Sequence, residues 1–302
     1  MSTGWRPHAS GAGKSGPAVR LSRRQALDIW LRAQRIDCFE PFGHGPGAVL
    51  RAVEHLGYVQ IDTINVIERC HHHILFTRIP GYKRQHLDLL QARDKSVFEY
   101  WTHALSYVPT RDFRFFLPAM RRHRRSPDAR FAKVEPAHVR KVLSRIRRDG
   151  PISIRDIDDD VLVEKDHAWA SRKPSRRALQ MAFHSGDVTV NERVGMLKRY
   201  ELTDRHFDWQ QKPRPATELQ VLDYLLDRAL LAQGVISLDS TCYLDAGRKS
   251  ALRAVIEGRV KRKLLLPVTI EGIDDVPHWL LPSVLDARPE VGDPQVRLLS
   301  PF

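Results

Sequence analysis

A chain of 302 residues with 42% hydrophobic and 8% aromatic content is long enough for two or three small domains, each with its own core. Its 49 lysines and arginines against 36 acidic residues leave a net charge of +13, which points to a polyanionic partner such as nucleic acid or, less often, an anionic membrane surface. Three widely separated cysteines (Cys38, Cys70, Cys242) speak against a disulfide framework or paired metal spacing and favour a reducing interior; no apolar run suits a membrane span; and residues 1–18, small, polar and rich in Gly and Pro, read as a disordered tail without the apolar core of a signal peptide.

Leu21 to Ile36 has helical spacing, with Ser22 as N-cap and Ala26, Trp30 and Ala33 on one stripe. Pro41 to Gly47 predicts a turn, Val49, Val53 and Leu56 a second helix, and Gly57 its stop. The next stretch, Gly57-Tyr58-Val59-Gln60-Ile61-Asp62-Thr63-Ile64, reads as a short strand. Alternate side chains of an extended run share a face, so Gln60 and Asp62 point one way while Val59 and Ile61 face the core. An amide and a carboxylate side by side on a rigid support can grip and polarise one water molecule. They can equally be polar strand-end residues that cap the helix that follows.

That helix is expected over Thr63 to Arg78, from Ile64, Ile67, His71, Ile74 and Arg78 at helical spacing, with Arg78 a candidate DNA contact. Cys70-His71-His72-His73 holds metal-ligating residue types, but neighbours on a helix diverge by about 100° each, so packing histidines are the favoured reading. Val97 to Trp101 and Ala104 to Val108 form a hairpin around Thr102-His103, and Arg111 to Arg125 a helix ending in a basic cluster.

Further on, Val139, Val142, Leu143 and Ile146 mark a helix stopped at Gly150-Pro151. A short strand (Ile152 to Ile154), an acidic loop, a helix (Pro174 to Ser185) and a hairpin (Val188 to Asn191, Met196 to Leu202) follow. Helix, strand, helix and hairpin is the order of a winged helix. Arg172, Lys173, Arg176 and Arg177, in the first turn of its last helix, are placed to contact DNA; the alternative is a winged helix used for protein contacts. The order recurs in the helix Glu218 to Gln233, with Leu219, Leu222, Leu226 and Leu230 in register, then the strand Val235 to Leu238, the helix Ser250 to Glu257, and a hairpin of Lys263 to Ile270 with His278 to Leu281. The fold class expected is therefore α+β, mainly helical, with tandem winged-helix modules: a tail (1–18), a module carrying the Gln60/Asp62 motif (19–126), a central winged helix (127–213) and a third module (214–302).

Gly57 to Val66, Phe98-Glu99-Tyr100-Trp101-Thr102-His103-Ala104, Pro109 to Phe113, Trp169 to Val190 and the closing Leu298-Leu299-Ser300-Pro301-Phe302 together resemble, in order over about residues 20–302, the YcaQ/AlkX and AlkZ family of bacterial DNA glycosylases. The resemblance implies tandem winged helices, a Gln-x-Gln or Gln-x-Asp catalytic motif matched here by Gln60 and Asp62, and action on alkylated DNA including interstrand crosslinks. Members of that family continue beyond the Ser-Pro-Phe sequence into a β-barrel-like region, which this chain, ending at Phe302, is expected to lack. A purine alkylated at N7 or N3 is cationic and leaves without a general acid, so one carboxylate suffices where ordinary glycosidases use two. Asp62 would then stabilise the oxocarbenium charge and take a proton from the water that Gln60 orients. Tyr100, Trp101 and His103 are candidates for the wall of an open site, since a crosslinked base cannot rotate freely out of the duplex. The partner expected is double-stranded DNA with alkylated purines, with no cofactor, metal, membrane or obligate protein partner, and a cytoplasmic, nucleoid-associated setting. A transcription regulator, or a non-catalytic architectural DNA-binding protein, would use the same modules without the chemistry.

Overall fold

Three short sheets, each set among helices, make up the α+β fold of the computed structural model, which describes residues 18–65, 67–157 and 173–286 together with 296 and 299. The tail, Arg172, most of the acidic loop and nearly all of the closing Leu298 to Phe302 stretch lie outside the described residues.

After β1 (Val19–Leu21), Ser22 and Gln25 form a reciprocal capping box that starts α1 (Arg23–Ala33). Ile29 takes the core position expected of Trp30, which is 39% exposed. In α2 (Gly45–Leu56), Ala48, Val49, Ala52, Val53 and Leu56 are buried, and the helix ends at Gly57 with φ +77°, a left-handed conformation that costs glycine little. The chain turns there directly into β2 (Val59–Gln60), which pairs antiparallel with β4 (Leu105–Pro109). β3 (Val97–Trp101) completes the sheet as the hairpin partner of β4.

The helix expected from Thr63 begins only at Cys70, as α3 (Cys70–Phe76). The Asp62 carboxylate accepts the Ile64 N–H at 2.8 Å, holding the backbone in a tight turn, and Ile67 is 93% exposed rather than in a core stripe. α4 (Arg84–Ala92), for which the sequence reading has no counterpart, packs on α2, and α5 (Phe113–Arg125) follows the hairpin.

α6 (Pro136–Asp149), β5 (Ile152–Ser153), α7 (Pro174–His184) and the hairpin of β6 (Val188–Val194) with β7 (Leu197–Leu202) keep the expected order, and their sheet runs β5-β7-β6. Val142, Ile146, Leu179, Ala182 and Val190 share one core with Phe98, Phe113 and Phe116 of the preceding segment. α8 (Thr203–Phe207) leads to α9 (Glu218–Gln233), which buries Leu222, Leu226 and Leu230 and leaves Leu219 exposed. β8 (Val235–Ser237), α10 (Leu238–Thr241), α11 (Lys249–Lys261), β9 (Leu266–Ile270) and β10 (Ile273–Leu280) follow. Their sheet, in the order β1-β9-β10-β8, takes β1 as a parallel partner of β9, and Leu21 and Ile29 pack with Val268, Ile270 and Leu280.

The first two sheets are joined by a buried charge. Glu99 on β3 accepts from the Arg193 guanidinium at 2.5 and 2.7 Å and from the Gln91 amide at 3.1 Å, with the Lys198 ammonium 3.4 Å away. Burial pushes the Glu99 carboxyl up, but Lys198 and Arg193 outweigh it and hold the group at about 2, below its ordinary 4.5. Burial still draws Lys198 below the ordinary lysine range despite that partner. Removing one member of such a cluster strands the others without water. Glu99→Gln should therefore cost about 3–5 kcal/mol in urea denaturation. Because the folded carboxyl is depressed, its contribution is complete above 4.5 and is lost as the pH falls toward about 2; the Gln variant should lack that acid-dependent component.

Candidate active site

Along residues 59–62, Val59 and Ile61 are buried while Gln60 and Asp62 are half-buried, the alternation of an edge strand with its polar face open. Val59 pairs with Tyr107 and Gln60 with Ser106, and the Ile61 N–H donates to the Leu105 carbonyl at 2.8 Å, so Gln60 rises from a hydrogen-bonded ladder and Asp62 follows directly at its end. Beneath them the Cys70 thiol donates to the Gln60 carbonyl at 3.2 Å. Burial and the nearby Asp62 charge push that thiol up to about 11, so it stays protonated and serves as a packing donor.

The Gln60 side chain meets His103, from the turn of the β3–β4 hairpin, with Nε2 and Oε1 3.0 Å apart. The turn is stapled by the Thr102 N–H and hydroxyl, both donating to the Ala104 carbonyl. The His103 ring stands edge-on between Tyr58 and Tyr243, each with its centroid 5.3 Å away. Arg228 of α9 lies over the Tyr58 ring at 5.0 Å and the Tyr224 ring at 5.5 Å. Burial, helped by the Arg228 charge, lowers the His103 pKa, which favours a neutral imidazole. Beyond Arg228 a cleft of about 390 Å³ opens among α2, α5 and α9. Glu54, Asp112, Asp223 and Asp227 share its lining with Arg111, Arg114 and Arg228, a mixture of both charges.

Of the other sequence candidates, several are placed elsewhere. Tyr100 is buried, its ring beside Phe116 and Phe183 and its hydroxyl donating to the His184 carbonyl at 2.6 Å. Trp101 stacks on His184 at 5.5 Å. Of that trio His103 is the one bonded to Gln60, flanked by the rings of Tyr58 and Tyr243; Tyr100, buried against α7, is no part of an open wall, while Trp101 stays 40% exposed. Arg78, 5% exposed, donates to the carbonyl and side-chain oxygens of Gln34 and to the Ile74 carbonyl at 2.8–3.0 Å. Arg177, 6% exposed, donates to the Arg130 carbonyl. Both fasten one element to another rather than face outward. Lys173 and Arg176 do lie on the exposed side of the α7 start, and Arg140, Arg147, Arg148, Lys261, Arg262 and Lys263 are exposed as well.

Tyr58, Arg228 and Tyr243 escape the sequence reading. Tyr224 and Arg228 stand four apart on α9, the spacing of a cation over a ring on one helix face, which was a usable signal. Nothing in the sequence marks Tyr243, which reaches His103 only through the tertiary fold. Among the described residues no three His, Cys, Asp or Glu side chains are grouped as a metal ion would need, and no helix is long and apolar enough to cross a membrane.

A protein-family model described as DNA glycosylase AlkZ-like matches residues 53–302. Among solved structures, the DNA glycosylase AlkZ of Streptomyces sahachiroi aligns with a TM-score of 0.57 over 90% of this chain and 74% of its own, at 15% sequence identity. At that identity the likeness is one of fold.

The two classes of arginine should separate by experiment. Arg78→Met removes buried, charge-assisted hydrogen bonds and should cost on the order of 2–3 kcal/mol in thermal or urea unfolding, with duplex affinity unchanged once folded. Arg176→Met should leave the unfolding midpoint nearly untouched and weaken duplex binding in fluorescence anisotropy.

Proposed function

Because the chain belongs to the AlkZ-like DNA glycosylase family, we propose that it hydrolyses the N-glycosidic bond of alkylated purines in duplex DNA, at the face carrying Gln60 and Asp62. The observation that carries this reading is that amide and carboxylate two residues apart, both half-buried, the amide on the ladder-bonded edge strand β2 and the carboxylate at its exit. Alkylation makes the purine a cationic leaving group, so no acid is needed on the base. The demands that remain are to steady positive charge on the sugar and to ready a water molecule. Asp62 answers the first by its charge and the second by accepting the water's proton; Gln60 holds the water.

Gln60 and Asp62 sit half-buried at the end of an edge strand and just beyond it. That geometry suits a base joined to the opposite strand, which cannot swing out of the duplex, and we include interstrand crosslinks among the substrates on this ground. Grip on the duplex comes from the exposed basic residues of the helix-strand-helix-hairpin segments, which we read as winged helices, in modules spanning about residues 19–126, 127–213 and 214–302. The strand β1, which lies in the sheet of the third module, belongs with it by packing.

Excision of N7-methylguanine from a duplex is the test, and absence of excision by the unmodified protein would overturn the reading. Asp62→Asn keeps the shape and removes both charge and basicity. Single-turnover excision should fall on the order of 10²-fold or more, while duplex affinity holds level or rises slightly. Asp62→Gln, which recreates the Gln-x-Gln form, should recover part of that loss. Duplex affinity itself should fall steeply as salt rises and vary little with base sequence, as expected of a binder that works through its positive surface.

A further inference from the structure

We propose that His103 is a positioning residue that turns the Gln60 carboxamide so that its NH2 group, not its oxygen, faces the substrate. The inference rests on the glycosylase reading for its chemistry, though not for its geometry. A carboxamide has one accepting oxygen and one donating nitrogen on opposite sides of the same carbon. With Oε1 held 3.0 Å from the His103 Nε2, the oxygen is occupied by a ring N–H and the amide nitrogen points away from the ring. The other tautomer of the imidazole would present a bare Nε2 to an oxygen and repel it.

Three further features keep that arrangement in place. Tyr58 and Tyr243 flank the ring edge-on, at interplanar angles of 72° and 77°. The Thr102–Ala104 staple fixes the backbone from which the ring projects. Burial, and then the Arg228 guanidinium laid over the Tyr58 ring, disfavour a positive charge on the imidazole. His103 is therefore a neutral donor with a single N–H, spent on Gln60.

The consequence reaches the reacting water. Toward the water Gln60 presents its NH2 group, so it holds the water by one oxygen lone pair and leaves the other free for the sugar. Asp62 accepts the proton as the water O–H bond breaks. The oxygen then forms its bond to C1′, and the electron pair of the C1′–N bond leaves with the cationic purine and neutralises it. Water is thus held between one donor and one acceptor, a distinction that two interchangeable polar residues would not provide.

Three variants and one spectroscopic measurement test the proposal. His103→Phe keeps a ring between the tyrosines and removes the donor; His103→Gln restores an N–H near the position of Nε2. Gln60→Glu can still accept from His103 but has no N–H to offer the water. In single-turnover excision of N7-methylguanine, His103→Phe and Gln60→Glu should each slow the chemical step on the order of 10²-fold. Duplex affinity and unfolding midpoint should change little in His103→Phe, and His103→Gln should recover most of its rate. Equal loss in His103→Phe and His103→Gln, or full activity in Gln60→Glu, would overturn the assignment. Imidazole ¹⁵N shifts of the free protein should show a neutral ring protonated at Nε2 near pH 7; an Nδ1–H tautomer would overturn it without any reference to activity. Failure of the unmodified protein to excise, with the Nε2–H tautomer present, would instead count against the glycosylase reading and leave the His103–Gln60 geometry standing.

Discussion

A carboxylate buried without water has to be answered by fixed charges, and Glu99 is where this protein meets that demand. Its four hydrogen-bonding and charged contacts come from α4, β6 and β7, while Glu99 itself belongs to the sheet that carries the candidate site. An ion pair of this kind adds little net stability over apolar residues of equal shape, since desolvating the charges offsets most of their attraction. What it does supply is register. Only one seating of the β6–β7 hairpin on β3 brings Arg193 and Lys198 to the same carboxylate. The β3–β4 hairpin so fixed holds the His103 turn at one end and the Gln60 partner Ser106 in the middle. The β6–β7 hairpin is thus a brace for the neighbouring sheet.

The candidate site is assembled from segments remote in sequence. Gln60 and Asp62 lie on β2 and its exit, His103 in a hairpin turn, and Arg228 and Tyr243 in the last third of the chain. Gly57 is the point at which these meet. A Cβ at that position would run into the Arg228 side chain, so the glycine that ends α2 also admits α9 to the back of the site. The arginine then spends its planar face on Tyr58 and Tyr224, a use for which a lysine would be a poor substitute.

Elements whose determinants are local are legible in the sequence. The Ser22 capping box, the Gly57 stop, the α9 ladder of Leu222, Leu226 and Leu230 and both hairpins of the first two sheets appear where periodicity and turn chemistry predict them, Leu219 excepted. The even alternation around Gln60 and Asp62 is readable for the same reason. Misreadings arise where distant partners decide. Ile64 and Ile67 keep helical spacing, yet nothing packs over them, and a side-chain bond from Asp62 prevails over their propensity. Arg78 and Arg177 look like surface cations by composition, but each finds main-chain carbonyls inside the fold, a fate that charge counting cannot foresee. Tyr100 and Trp101, close to His103 in sequence, both meet His184 at the end of α7, a tertiary contact that strand alternation alone does not foretell.

The pairing of β1 with β9 imposes an order on synthesis. Arg23, just after β1, donates to the carbonyl of Glu271, 248 positions later, so the ribosome releases one edge of this sheet long before the strand it must join. Until then Leu21 and Ile29 have no Val268 or Ile270 to cover them. The helices of the first and middle segments, with their nearby partners, can settle while the chain is still growing; the last sheet has to wait and pays a long loop-closure entropy when it forms. Nascent chains would thus present an apolar strand edge until the intervening 248 positions have been made, a natural ligand for a chaperone that binds short extended segments.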